Sequence, residues 1–84
     1  MRFEAMVEVS LRPGIADPQG ATIERALPAL GFGAVSGVRA GKSFRFVVEA
    51  ADEAQARDNV DDLCRRLLTN PVIEDSTVIL TPAP

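Results

Sequence analysis

Four features of this 84-residue chain combine residue types that chemistry uses. Gly37, Gly41, Lys42 and Ser43 stand in the order of a phosphate-binding loop, where glycines let backbone N–H groups close on phosphate oxygens and Lys adds charge. The spacing is one residue short, and the stretch from Ser43 reads as a strand where such a loop needs a helix N-terminus. A hairpin turn with one exposed Lys accounts for it. Cys64 could act as a nucleophile only beside a base or cation that lowers its pKa; the chain has no His, and Cys64 falls in an apolar helical stripe. It is expected to be buried and inert. Glu74 and Asp75 could form an acid–base pair, but nothing else chemical accompanies them, and solvation of a strand end explains both. Glu53, Arg57, Asp61 and Arg65, with Asp58, Asp62 and Arg66, recur four apart, as on a solvated helix face. No catalytic residue is expected.

Lys42-Ser-Phe-Arg-Phe-Val47 approaches the pattern with which some sheets stack RNA bases on two aromatics. Pointing Phe44 and Phe46 outward would turn Ser43, Arg45 and Glu49 into the core without partners, so the Phe side must be the core side. The first strand also lacks a stacking aromatic on its polar face, and the net charge of −3 has the wrong sign for a nucleic-acid surface. No nucleic-acid partner is expected.

The elements that place these residues follow from periodicity. Phe3, Ala5, Val7, Val9 and Leu11 alternate with Arg2, Glu4, Glu8 and Ser10, the period of a half-buried strand, with Met6 breaking the polar face. Pro13-Gly14 ends it. Asp17-Pro18 reads as N-cap and first helical residue. The helix that follows has Ile23, Ala26, Leu27 and Leu30 as its apolar stripe and Gly31 as a left-handed end, with Pro28 expected to kink or loosen the last turn. Ala34 to Arg39 and Ser43 to Ala50 read as two strands around a tight Ala40-Gly41-Lys42 hairpin. Asp52 with Gln55 starts a second helix whose stripe is Val60, Leu63, Cys64 and Leu67. Asn70-Pro71 stops it, Asn70 being placed for a left-handed end, and Val72 to Thr81 forms a last strand. The order is βαββαβ, an α+β ferredoxin-like arrangement: a four-stranded antiparallel sheet with both helices on one face, as a single domain over residues 1–84.

Eighty-four residues bury a small core, so a partner or self-association is expected. One Cys and no His preclude an internal disulfide and the common zinc and Ser–His constellations. The N-terminus enters a strand directly, with no signal-like segment and no run of membrane-spanning length, which points to the cytoplasm and away from a membrane. Met6 and Val47 fall on the outer sheet face, and Ile73 and Ile79 are read as the outward side of the last strand, so these four are the candidate self-association residues of at least a homodimer.

Gly14-Ile-Ala-Asp-Pro-Gln-Gly20 and Cys64-Arg-Arg-Leu-Leu-Thr-Asn-Pro-Val-Ile-Glu74, with Leu30-Gly-Phe32 and Val38-Arg-Ala-Gly-Lys42 between them, resemble the PurS family in order and spacing. Ser76, Pro28 and Arg45 depart from the family pattern. The resemblance implies the small subunit of phosphoribosylformylglycinamidine synthase in purine biosynthesis, a ligase that uses ATP and takes nitrogen from glutamine. It implies PurL-like synthetase and PurQ-like glutaminase partners, a bridging role that helps ammonia pass between them, no active site or cofactor on this chain, and ATP and Mg on the synthetase. The hairpin residues Arg39, Gly41 and Lys42, two cations on an acidic protein, are candidates for a partner interface; a merely solvated turn is the alternative. A different class, a free-standing ferredoxin-like regulatory or ligand-binding module, would show itself by binding a small ligand alone.

Overall fold

The computed structural model describes residues 1–84. Strand β1 spans Arg2–Leu11, helix α1 Pro18–Ala26, strand β2 Gly41–Glu49, helix α2 Glu53–Leu63 and strand β3 Glu74–Pro82. The sheet has the order β2-β1-β3 with both pairings antiparallel, so β1 is central and each outer strand keeps one open edge. The alternation in β1 does what its period requires. Phe3, Ala5, Val7 and Val9 are buried on the inner face, where Phe44, Phe46, Val48, Val78 and Leu80 pack beside them. Helix α2 closes that face with Ala56, Val60 and Cys64.

The α+β ferredoxin-like class stands, with three strands in place of the expected four. Residues 34–39 form no strand, and no hairpin surrounds Gly41, which instead opens β2. Two observations explain the difference. Gly37 has φ +71, which breaks an extended run, and the N–H groups of Val38 and Ala40 donate to the side chains of Glu24 and Asp17, at 2.8 Å each, so no neighbouring strand is needed to satisfy them.

The helix starts follow their caps. Asp17 accepts from Gly20 N–H at 3.0 Å with Pro18 next in line, and Asp52 accepts from Gln55 N–H at 2.8 Å, while the Gln55 side chain reaches back to Ala51 N–H at 2.6 Å. Pro28 ends the α-helical geometry as expected: a 3₁₀ turn covers Pro28–Leu30 and closes on Gly31 at φ +90. The expected burial of the α1 stripe fails. Ile23 and Leu30 are exposed, and the buried residue of this helix is Gly20.

Helix α2 runs into a π turn over Cys64–Leu68, closed by Thr69 N–H on the Cys64 carbonyl at 2.9 Å. In the wider turn each residue advances by less than the α-helical angle of about 100°. Leu68 therefore takes the inward place beside Cys64, and Leu67, expected in the stripe, is 75 % exposed. The end is not left-handed at Asn70, since no residue other than Gly has positive φ; Thr69 is extended, and the Asn70 side chain instead accepts from Val72 N–H at 3.1 Å.

The chain is flat and long, 51 × 30 × 14 Å, with a radius of gyration of 16.4 Å. A compact domain of this length has about 12 Å. Only nine residues are buried, so a single copy closes little of its apolar surface.

Candidate functional site

The residues singled out for interaction form two groups at different places on the sheet. At the end of β1, Arg39 reaches across the turn before β2 and donates from Nη2 to the carbonyl of Leu11 at 3.2 Å and, longer, of Arg12 at 3.5 Å. Gly41 pairs with Ser10 in the β1–β2 register, and a Cβ at this position would lie 2.7 Å from the Val9 carbonyl oxygen, so the strand enters the sheet here only with Gly. Lys42 lies on the inner face beside Val9, and its Nζ reaches over the end of β1 to Glu74 of β3 at 3.4 Å. The three candidates are thus brought together, and both cations are tied to their own chain.

Glu74 is the least exposed partner of this group, with its side chain 12 % accessible. The Asn70 N–H on Oε1, at 2.7 Å, holds its carboxyl below the usual range, and the Lys42 ammonium adds to that. Asp17 is held low in the same way, first by the Gly20 N–H, then by Ala40 N–H, with Arg39 nearby. These carboxylates are occupied as hydrogen-bond acceptors, a structural use and not the free acid–base pair considered for Glu74 and Asp75; Asp75 meets Arg12 at 3.2 Å.

On the outer face Met6 stands opposite Ile79 in β3, and Val47 opposite Glu4, one step along β1. With Arg45 and Thr81 these side chains border an open hollow of about 560 Å³ in the sheet face. Val47 and Ile79 are nearly half exposed. Ile73 does not join them. It precedes β3 in the Asn70 turn, where its carbonyl accepts from Arg12 N–H at 2.8 Å, because β3 begins two residues later than its apolar pattern suggests.

Sequence reasoning missed a third surface. Ile23, Leu30, Phe32 and Val35, from α1 and the turn after it, are all 45 % exposed or more. The periodicity marked the helical pair as apolar but could not tell a face covered by its own sheet from one left open. The remaining candidates fall where expected: Cys64 is buried and unpaired, Phe44 and Phe46 face inward, and the residues after Lys42 continue as strand, so no helix N-terminus faces the glycines.

The chain thus combines a sheet open at both edges, cations tethered to their own chain and exposed apolar side chains. The sequence model of the PurS family, phosphoribosylformylglycinamidine (FGAM) synthase, matches residues 4–82. The chain belongs to the PurS family. It is 38 % identical over 73 residues to the PurS subunit of phosphoribosylformylglycinamidine synthase from Methanocaldococcus jannaschii, covering 87 % of this chain and 88 % of that one. The crystal structure of the PurS subunit from Thermotoga maritima superposes with a TM-score of 0.89 at 36 % identity, covering 96 % of this chain and 93 % of that chain. A chain of the PurLQS structure from T. maritima gives the same score and identity, covering 96 % and 99 %. The PurS fold therefore extends over all three groups of residues described above.

Proposed function

We propose that this chain is the PurS-type subunit of phosphoribosylformylglycinamidine synthase, and that it serves purine biosynthesis by holding a PurL-type synthetase and a PurQ-type glutaminase together and assisting transfer of ammonia between them. The observation that carries this reading is the near end-to-end match, at 36 % identity, to a chain of the PurLQS structure. The chain itself acts without catalytic residues: its one Cys is buried, it has no His, and its best-placed carboxylates are committed to backbone N–H groups. ATP and Mg belong to the synthetase, and glutamine hydrolysis to the glutaminase. The complex works in the cytoplasm, where purine biosynthesis would draw on it.

Self-association is part of this function. The outer hollow at Met6, Val47 and Ile79 and the open edges of β2 and β3 leave apolar side chains and unpaired backbone groups that a second copy would cover. Arg39, Gly41 and Lys42 form a partner-facing group at the entry to β2, at the end of the sheet.

Reconstitution tests the reading. With synthetase, glutaminase, ATP, Mg and the ribonucleotide substrate, adding this chain is expected to raise glutamine-dependent synthesis, while synthesis driven by ammonium changes little. Equal glutamine-dependent rates with and without the chain would overturn the assembly role, and turnover of ATP or glutamine by the purified chain would overturn its non-catalytic nature.

A further inference from the structure

Asp17, Gly20 and Glu24 are spaced three and four apart and so share one side of α1. All three meet the segment before β2, and they do so through its backbone. Asp17 divides its two oxygens, Oδ1 accepting from Gly20 N–H at 3.0 Å and Oδ2 from Ala40 N–H at 2.8 Å. Glu24 Oε1 accepts from Val38 N–H at 2.8 Å. Between them Gly20 is buried, and a Cβ there would stand 2.7 Å from the Val38 carbonyl oxygen and 2.5 Å from Asp17 Oδ2. Two acceptors and a missing side chain thus receive alternate residues of one segment, as the edge of a neighbouring strand would.

We propose that Asp17, Gly20 and Glu24 form a latch that locks residues 38–40 onto α1 and thereby sets Arg39, Gly41 and Lys42, at the entry to β2, in the position from which they dock a partner subunit. The docking half rests on the reading of those three residues as partner-facing; the latch rests on the geometry alone. Arg39 lies inside the latched segment, between the two held N–H groups, and its guanidinium is fixed against the end of β1. The latch residues touch no partner in this account. They are positioning residues.

The two duties of Asp17 can be separated. An Asn keeps one carbonyl oxygen and remains among the best N-caps, but it turns an NH₂ group toward the Ala40 N–H, donor against donor. Asp17→Ser caps with one oxygen and offers nothing to Ala40, and serves if the Asn variant folds poorly. Glu24→Gln replaces a charged acceptor at Val38 by a neutral one.

Amide exchange followed by NMR on the full chain tests the latch without any partner. In Asp17→Asn combined with Glu24→Gln, the Ala40 amide is expected to exchange about tenfold faster or more, the scale of losing a charge-assisted hydrogen bond, and the Val38 amide faster by a smaller factor because Gln leaves it a neutral acceptor, with the Gly20 amide and the circular dichroism unchanged. Exchange at Val38 and Ala40 equal to that of the unaltered chain would overturn the latch. In the reconstituted system the same variant is expected to need about tenfold more protein for half-maximal glutamine-dependent synthesis, at an unchanged maximal rate and with ammonium-driven synthesis intact. Faster exchange with an unchanged requirement would overturn the docking half. Failure of the unaltered chain to stimulate synthesis would overturn the functional reading beneath it, leaving the exchange result to judge the latch.

Discussion

Helices α1 and α2 begin with similar caps and carry apolar stripes of similar spacing, yet the protein uses them in opposite ways. Helix α2 lays Ala56, Val60 and Cys64 on the sheet and leaves its charges in water. Helix α1 is held by Asp17, Gly20 and Glu24, and the apolar residues Ile23, on the helix, and Leu30, in the 3₁₀ turn after it, are exposed. One helix is an element of the core; the other is a bracket that carries an apolar surface outward. An amphipathic pattern therefore reports that a helix has something to bury, and not whether the cover comes from its own chain.

The sharpest break of this comparison is to place the same charge on each helix. Val60→Asp puts a carboxylate among Val7, Val9 and Cys64 without a partner and is expected to cost roughly 3–5 kcal/mol, enough to unfold much of a small domain. Ile23→Asp should change the stability of the dissociated chain by less than about 0.5 kcal/mol while weakening its association. Urea denaturation across a dilution series separates the two effects, and comparable losses in the dilute chain would show that α1 does contribute to the core.

Gly41→Ala comes next, at about 1–3 kcal/mol, because its Cβ would press on the backbone carbonyl of Val9, which cannot swing aside as a side chain can. The urea midpoint reads this directly, and an unchanged midpoint would mean that β2 enters the sheet with more freedom than the structure shows.

A smaller effect is acid sensitivity. Asp17 and Glu74 are held below the ordinary carboxylate range, so the folded state binds fewer protons than the unfolded one as the pH falls. Their stabilisation is complete above the unfolded values of about 4 and is lost as the pH drops through the folded ones. Asp17→Asn with Glu74→Gln should flatten the decline of the urea midpoint between about pH 5 and 3. A decline parallel to that of the unaltered chain would contradict it.

The smallest effect concerns the tethered cations. Lys42→Glu sets two carboxylates together across β1, and exchanging the pair, Lys42→Glu with Glu74→Lys, should recover part of the lost stability. If the exchanged pair restores the fold but not glutamine-dependent synthesis, Lys42 is needed at the partner interface; restoration of both would leave it a structural clasp.

What could be read in the sequence was local. The alternation of β1, the two Asp caps, the loosening at Pro28 and the outward position of Met6, Val47 and Ile79 all follow from neighbours within a turn or a strand pair. The failures arise where a distant group decides. Residues 34–39 have a strand composition, but Glu24 and Asp17 accept from the Val38 and Ala40 N–H groups in place of the carbonyls of a neighbouring strand, and nothing in the segment itself announces that. Leu67 and Leu68 are equivalent by composition, and one wide turn after Cys64 chooses between them. The candidate interface residues fared likewise: Arg39, Gly41 and Lys42 were recognisable as a unit, but their tethers to Leu11 and Glu74 were not. Family membership could be read because it is carried by the order of many such local signals, each weak alone.

The central claim is that one copy of this chain is an incomplete structure, finished by a second copy and then by its partner subunits. Sedimentation velocity on the purified chain across a micromolar dilution series tests it most directly. The predicted result is a species of at least twice the 9.0 kDa chain mass, shifting to smaller species when Met6, Val47 and Ile79 are replaced by Ser. A single 9.0 kDa species throughout that range, folded and with the same α1 surface in water, would contradict it.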